Sequence, residues 1–400
     1  MKRFFLLSLL VIALLACSLF LLVSCDEGSE GAGNKMLYIY NWGEYIADGS
    51  EGSIDLIEEF ERLTGYTVVY ETFDSNESMY AMLESGAAVY DIVIPSDYMI
   101  QRLIREDMLQ KINYANIPNA GNVDPKYKGL YYDPTDEYSI PYNVGMVAVV
   151  YNTTLVDEED AARQSIDLLW NPKYRGNILT FDNARDGFAM AQVKMRMSFN
   201  SPYKEDWDRA FDALAEQKKV LQGYTMDGIF SKMEGENAAV GVYYAGDCLS
   251  MIDENPDLSL YYPKEGTNLF VDAMCIPKNA QNVAAAEAFI NFILEEEYAV
   301  ENALYLYYAS PNKKVQENEY YKEEMGYYDE ETGEYDPEGN YALLYEYPEQ
   351  YLTEDGKLND TVAQYYHNLG EVPLKNKKEE DLGDSVLNYM TELWIRLKLV

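Results

Sequence analysis

Short runs of β-forming residues alternate with helical patterns along most of this chain, and that alternation limits its possible folds more than any other feature. Residues 36–40 (MLYIY) form an apolar run that ends in the turn-like Asn41-Trp42-Gly43. Ile54, Ile57, Phe60 and Leu63 then recur every third residue, a helical face that Gly65 can terminate. Residues 67–73 predict a strand, 79–83 begin a helix and 91–95 (DIVIP) predict another strand. Residues 99–108 set Ile100, Leu103 and Ile104 on one helical face. Such an order is the signature of an α/β layer on a mainly parallel sheet.

The pattern returns later with different sequence. Strands are predicted at 145–151, 177–181, 238–244, 258–262 and 273–276, with helices at 207–221 and 283–294. Two α/β lobes accommodate these elements better than one sheet of about ten strands. Length agrees, since 400 residues exceed the roughly 250–300 at which a single core stops growing. Residues 316–360 are acidic, tyrosine-rich and poor in aliphatics, and read as a long surface insertion. A closing helix at 386–397 points Leu387, Met390, Leu393 and Trp394 inward.

The start of the chain concerns location. Basic Lys2-Arg3 precedes an apolar stretch to Ser24, which reads as a secretion signal. Leu22-Val23-Ser24-Cys25 looks like the lipobox of a bacterial lipoprotein, with cleavage before Cys25 and a lipid on its thiol. Residues 26–35 (DEGSEGAGNK) are polar and glycine-rich, suited to a tether. Leu14-Leu15-Ala16-Cys17 is a second candidate lipobox, and an uncleaved anchor is a third reading. The expected location is extracytoplasmic, held to the cell membrane. Beyond the anchor only Cys248 and Cys275 remain, too few for a disulfide framework, and both sit in apolar stretches that bury thiols.

Charge narrows the partners. Acids number 69 against 31 bases, a net charge of −38 that argues against nucleic acid. Residues 1–24 hold Lys2, Arg3 and no acid, so their removal takes −38 to −40. A hydrophobic fraction of 48% still supports folded cores. With His367 as the one histidine, a histidine-based triad or metal site has almost no material.

Candidate chemistry lies where strands end, because open α/β sheets bind ligands there. Residues 40–45, 95–98, 181–186, 243–247 and 270–272 occupy that position and combine Trp or Tyr with carboxylates. Taken singly, each fits ordinary packing or a helix cap. Taken together, they suit an elongated organic cation. Rings attract an ammonium by ~0.5–2 kcal/mol, each packed methylene adds ~0.8 kcal/mol, and carboxylates pair with the charged ends.

Five blocks in order, YNWGEYI, ETFDSNESMYAML, YDIVIPSDY, YSIPYNVG and YPKEG…D…IPKNA, make the chain resemble the spermidine/putrescine-binding proteins, extracytoplasmic receptors of polyamine ABC importers. The resemblance runs from about residue 37 to 312. It implies an α/β, type II periplasmic-binding-protein fold, two lobes joined by a crossing-strand hinge around a central cleft. Lobe 1 would be 36–144 plus about 275–311, and lobe 2 would be 145–274 plus about 312–400. Hinges would lie near Gly145, 271–274 and Pro311.

The resemblance also implies an aromatic box of Trp42, Tyr45, Tyr98, Tyr244, Phe270 and Tyr308, and acids at Glu44, Asp186, Asp247 and Asp272. Asp272 would hold an amine and Ser96 would add a hydroxyl. Spermidine-preferring members usually carry tryptophan at the positions of Tyr244 and Phe270, and Asn183 replaces a common acid. Asp247 matches the putrescine-type pattern. No site residue is carried past Asn312, where the insertion blurs the match. Implied partners are a polyamine and membrane permease subunits whose ATPase is a separate chain, with no metal, no cofactor and a monomeric receptor.

Rival readings are a two-carboxylate glycoside hydrolase, a binder of another cationic solute, a ferric-ion binder using Tyr307-Tyr308, and a purely structural surface protein. No G-x-S-x-G or H-E-x-x-H motif supports catalysis. A calcium site at 329–340 lacks regular ligand spacing.

Overall fold

The apolar runs become strands because β-branched and aromatic side chains pack well on a pleated surface. The structure, a computed structural model, describes residues 35–329, 334–336 and 339–399. The signal segment, both lipobox cysteines and nearly all of the tether lie outside the described residues, as does part of 329–340. The described residues form fourteen strands, of which the first nine are β1 (Met36–Trp42), β2 (Thr67–Phe73), β3 (Ile92–Val93), β4 (Ser139–Asn152), β5 (Leu179–Phe181), β6 (Gly223–Thr225), β7 (Val240–Tyr244), β8 (Leu258–Tyr261) and β9 (Thr267–Cys275). The main sheet has eight strands in the order β2-β1-β3-β9-β4-β7, with β8 also beside β4 and strand Ala363–Tyr365 beside β9.

The sheet is mixed, which corrects the mainly parallel expectation. β1 runs parallel to β2 and β3. β9 is antiparallel to β3 and β4, and β4 is antiparallel to β7 and β8. Both crossing strands are longer than their apolar runs, because Asn143, Asn268 and Asp272 interrupt the hydrophobic pattern inside them. β4 pairs with β9 from Ser139 to Met146 and with β7 from Val147 to Tyr151, so one strand serves both α/β halves. A third segment joins them where the Val144 amide donates to the Ala309 carbonyl at 3.0 Å.

Helices start and stop where the sequence places caps. Asp55 accepts from the amides of Ile57 and Glu58 to open helix Leu56–Thr64, and Gly65 closes it at φ 71°. Asn183 caps helix Ala184–Met195 through the Asp186 amide. Alternation along β1 sends Leu37 and Ile39 into one hydrophobic cluster and Tyr40 into another. The closing helix, Val386–Leu399, buries Met390 and Leu393 against Phe188, Trp207 and Leu214.

The segment read as a surface insertion is more than surface. Helices Lys313–Glu317 and Glu319–Glu324 bury Val315 and Tyr321, and these join Met325, Ala299, Val300 and Ala303 in a small core. Tyrosine supplies the apolar area that aliphatics usually provide, so the scarcity of aliphatics misleads here. Tyr351 is likewise fully buried, its hydroxyl donating to the Pro263 carbonyl at 2.6 Å. Cys248 and Cys275 are buried free thiols. Among the described residues no helix is long and apolar enough to cross a membrane.

Candidate functional site

One cleft, partly open to solvent, gathers the ends of β1, β3, β5, β7 and a face of β9. All eleven residues selected by position line it: Trp42, Glu44, Tyr45, Ser96, Tyr98, Asp186, Tyr244, Asp247, Phe270, Asp272 and Tyr308. Glu44 adopts a left-handed backbone (φ 47°), which turns the chain sharply between Trp42 and Tyr45.

The aromatic wall is built by close packing. Trp42 leans on Phe73 with ring centroids 4.5 Å apart, and Tyr244 meets Phe270 edge-on at 5.4 Å. Tyr308 stands between Tyr45 at 5.1 Å and Phe270 at 6.3 Å. Two glycines permit this. A Cβ on Gly145 would lie 2.4 Å from the Phe270 ring, and one on Gly246 would lie 2.5 Å from Tyr308. A side chain at either place would force the facing ring to move.

The acids differ in how far the protein satisfies them. Asp272 is 4% exposed. Its Oδ2 accepts the Tyr45 hydroxyl at 2.7 Å, while its Oδ1 is buried with no hydrogen-bond partner. Burial pushes its carboxyl up to about 6, a rise held back by the nearby Ser96 and Tyr45 hydroxyls. Asp247 accepts the Tyr308 hydroxyl at 2.8 Å. Burial pushes it up to about 8, with the Asp227, Asp272 and Glu44 charges adding to the rise. A buried carboxylate without a cation is unstable as an anion, so these two groups prefer to hold a proton or meet a positive charge. Asp186, in contrast, accepts from the Tyr244 and Tyr366 hydroxyls at 2.9 and 2.7 Å and from the Asn183 amide at 2.6 Å.

Several further residues of the cleft had not been singled out as ligand-binding. Asp97 is fully buried and accepts from the amides of Tyr98 at 2.6 Å and Val271 at 3.2 Å; burial pushes it up to about 8. It lies inside the candidate segment 95–98, where only Ser96 and Tyr98 had been singled out. Arg185 lies between Asn183 and Asp186 and places its guanidinium 3.8 Å over the Tyr98 ring. Asn268 lines the cleft with a buried Oδ1 that has no partner. Tyr366 arrives from beyond the insertion, where nothing local marked it. Asn183, noted as the replacement of an acid, is a helix cap and a donor to Asp186.

The ferric-ion reading loses ground here. Tyr308 lines the cleft, but Tyr307 packs beside the insertion's small core, so the adjacent tyrosines do not converge on one ion. Among the described residues no cluster of three or more His, Cys, Asp or Glu is arranged to hold a metal.

Comparisons with known proteins agree with this geometry. The pattern of the bacterial extracellular solute-binding proteins matches residues 55–327. The spermidine/putrescine-binding periplasmic protein of Salmonella typhimurium is 33% identical over 288 residues, 72% of this chain and 80% of that protein. A solved spermidine/putrescine ABC transporter substrate-binding protein from Streptococcus pneumoniae is 30% identical with a TM-score of 0.63, over 91% of this chain and 98% of that one. A lipoprotein of Treponema pallidum shares the fold at 21% identity, with a TM-score of 0.69 over 91% of this chain and 100% of the other. The expected two-lobed periplasmic-binding-protein architecture is the architecture found.

Proposed function

The chain belongs to the bacterial extracellular solute-binding protein family, and from that premise we propose that it is the substrate-binding component of an ABC importer for polyamines. It captures spermidine or putrescine outside the cytoplasm and delivers the ligand to a membrane permease. The observation that carries this reading is the buried, unpartnered Oδ1 of Asp272 in a cleft walled by Trp42, Tyr45, Tyr244 and Phe270. An ammonium supplies the missing donor and charge, and the rings take its methylenes.

Capture then proceeds without a chemical step. The lobes 36–144 with about 275–311, and 145–274 with about 312–400, close over the ligand about segments near Gly145, 271–274 and Pro311. Closure excludes water and strengthens each ammonium–carboxylate pair. A lipid on Cys25 keeps the monomeric receptor close to its permease. The chain is a carrier rather than an enzyme and uses no cofactor.

Thermal melting with putrescine, cadaverine and spermidine tests this reading. Ligand at a hundred times its dissociation constant stabilises the folded state by about 2.7 kcal/mol, so at least one polyamine should raise the melting temperature. No shift with any of the three would remove the polyamine assignment.

A further inference from the structure

Two corners of the cleft differ in what their carboxylates still require. At Asp186 nothing is missing: Oδ2 accepts from Tyr244 and Asn183, and Oδ1 accepts from Tyr366. A cation is already installed beside it. The Arg185 guanidinium covers the face of Tyr98 at 3.8 Å, donates to the His367 carbonyl at 3.2 Å and sits 4.0 Å from Glu77. A ring face covered by a guanidinium is closed to a second cation, which the like charge also repels.

The corner of Asp272 and Asp247 is incomplete. Asp272 keeps one buried oxygen with no partner, and its other oxygen holds Tyr45. Asp247 holds Tyr308, and Tyr45 and Tyr308 touch edge to face at 5.1 Å. One tyrosine pair therefore carries both carboxylates, a short span with rings along it.

Resting on the polyamine reading, we propose that the site selects a short diamine of the putrescine type over spermidine. One ammonium sits on Asp272 and the other on Asp247, while Arg185 stands where a third ammonium of a longer ligand would have to lie. Tyr366 and Asn183 act as specificity residues, because their hydrogen bonds remove Asp186 from the set of available acceptors.

Calorimetric titration of the purified chain with putrescine, cadaverine and spermidine decides this. The expected result is a diamine bound at least tenfold more tightly than spermidine. Y366F, which strips the donor from Asp186 Oδ1, and R185M, which removes the resident cation, should each shrink that ratio several-fold. Spermidine bound as tightly as putrescine by the unaltered chain overturns the proposal, as does a ratio unmoved in both variants. Binding of no polyamine at all overturns the polyamine reading itself, a different outcome from a wrong preference.

Discussion

The cleft and the segment from Lys313 to Tyr345 are both rich in tyrosine and acid, yet they use those residues in opposite ways. In the cleft, tyrosine hydroxyls turn toward buried carboxylates: Tyr45 to Asp272, Tyr308 to Asp247, Tyr244 and Tyr366 to Asp186. In the later segment tyrosines turn toward one another. Tyr321 and Tyr345 face hydroxyl to hydroxyl at 3.2 Å, Tyr341 stacks on Tyr345 at 4.5 Å, and Glu317, Glu319 and Glu324 point to solvent. Composition is shared; burial of the acids is not. A carboxylate becomes a cation receptor when the protein removes its water and leaves an oxygen unpaired.

The strongest way to break that contrast is Asp272→Asn. Losing one partner of a buried charge pair costs on the order of 2–5 kcal/mol, so polyamine affinity should fall about thirtyfold or more by calorimetry. An unchanged constant would put the receptor oxygen elsewhere. Met325→Ala probes the other region. Truncating a buried Met costs about 2–5 kcal/mol, so local protection from hydrogen exchange should drop around Tyr321 while the polyamine constant stays within about twofold. A large loss of affinity there would mean the segment helps shape the cleft.

Acidity separates the two regions as well. Asp272 and Asp247 are raised from 3.8 to about 6 and about 8, so between pH 4 and 8 the folded chain holds protons that the unfolded chain has released. The unliganded protein should therefore lose stability as pH rises through that window, once the general charge effect is subtracted with an Asp272→Asn, Asp247→Asn double variant. Ligand affinity should move the other way, rising from pH 5 to 8, with protons released on binding. Titrations in buffers of different ionisation enthalpy report that release, and heats independent of buffer would contradict it. The smallest effect is expected from Glu319→Gln with Glu324→Gln, which should change affinity less than about twofold despite removing two negative charges.

Much of this was legible in the sequence because it is local. The helix stop at Gly65, the strand at 67–73 and the strand-end placement of Trp42, Tyr98 and Asp247 follow from spacing over a few residues. What was illegible depends on distant pairing. The crossing of β4 and β9 is hidden by Asn143, Asn268 and Asp272, whose polarity ends an apolar run but not a strand. Tyr366 reaches Asp186 across 180 positions, and Tyr321 is core only because Ala299 and Ala303 leave it room. Asn183 read as a lost acid, but its role as a cap and as a donor to Asp186 appears only once the helix is in place.

The account turns on one oxygen, and a crystal structure of the chain grown with putrescine addresses it directly. The expected result is an ammonium within hydrogen-bonding distance of Asp272 Oδ1, its carbons on the faces of the cleft rings and its second ammonium on Asp247. Ligand bound in the cleft with Asp272 Oδ1 still unpaired would contradict the account.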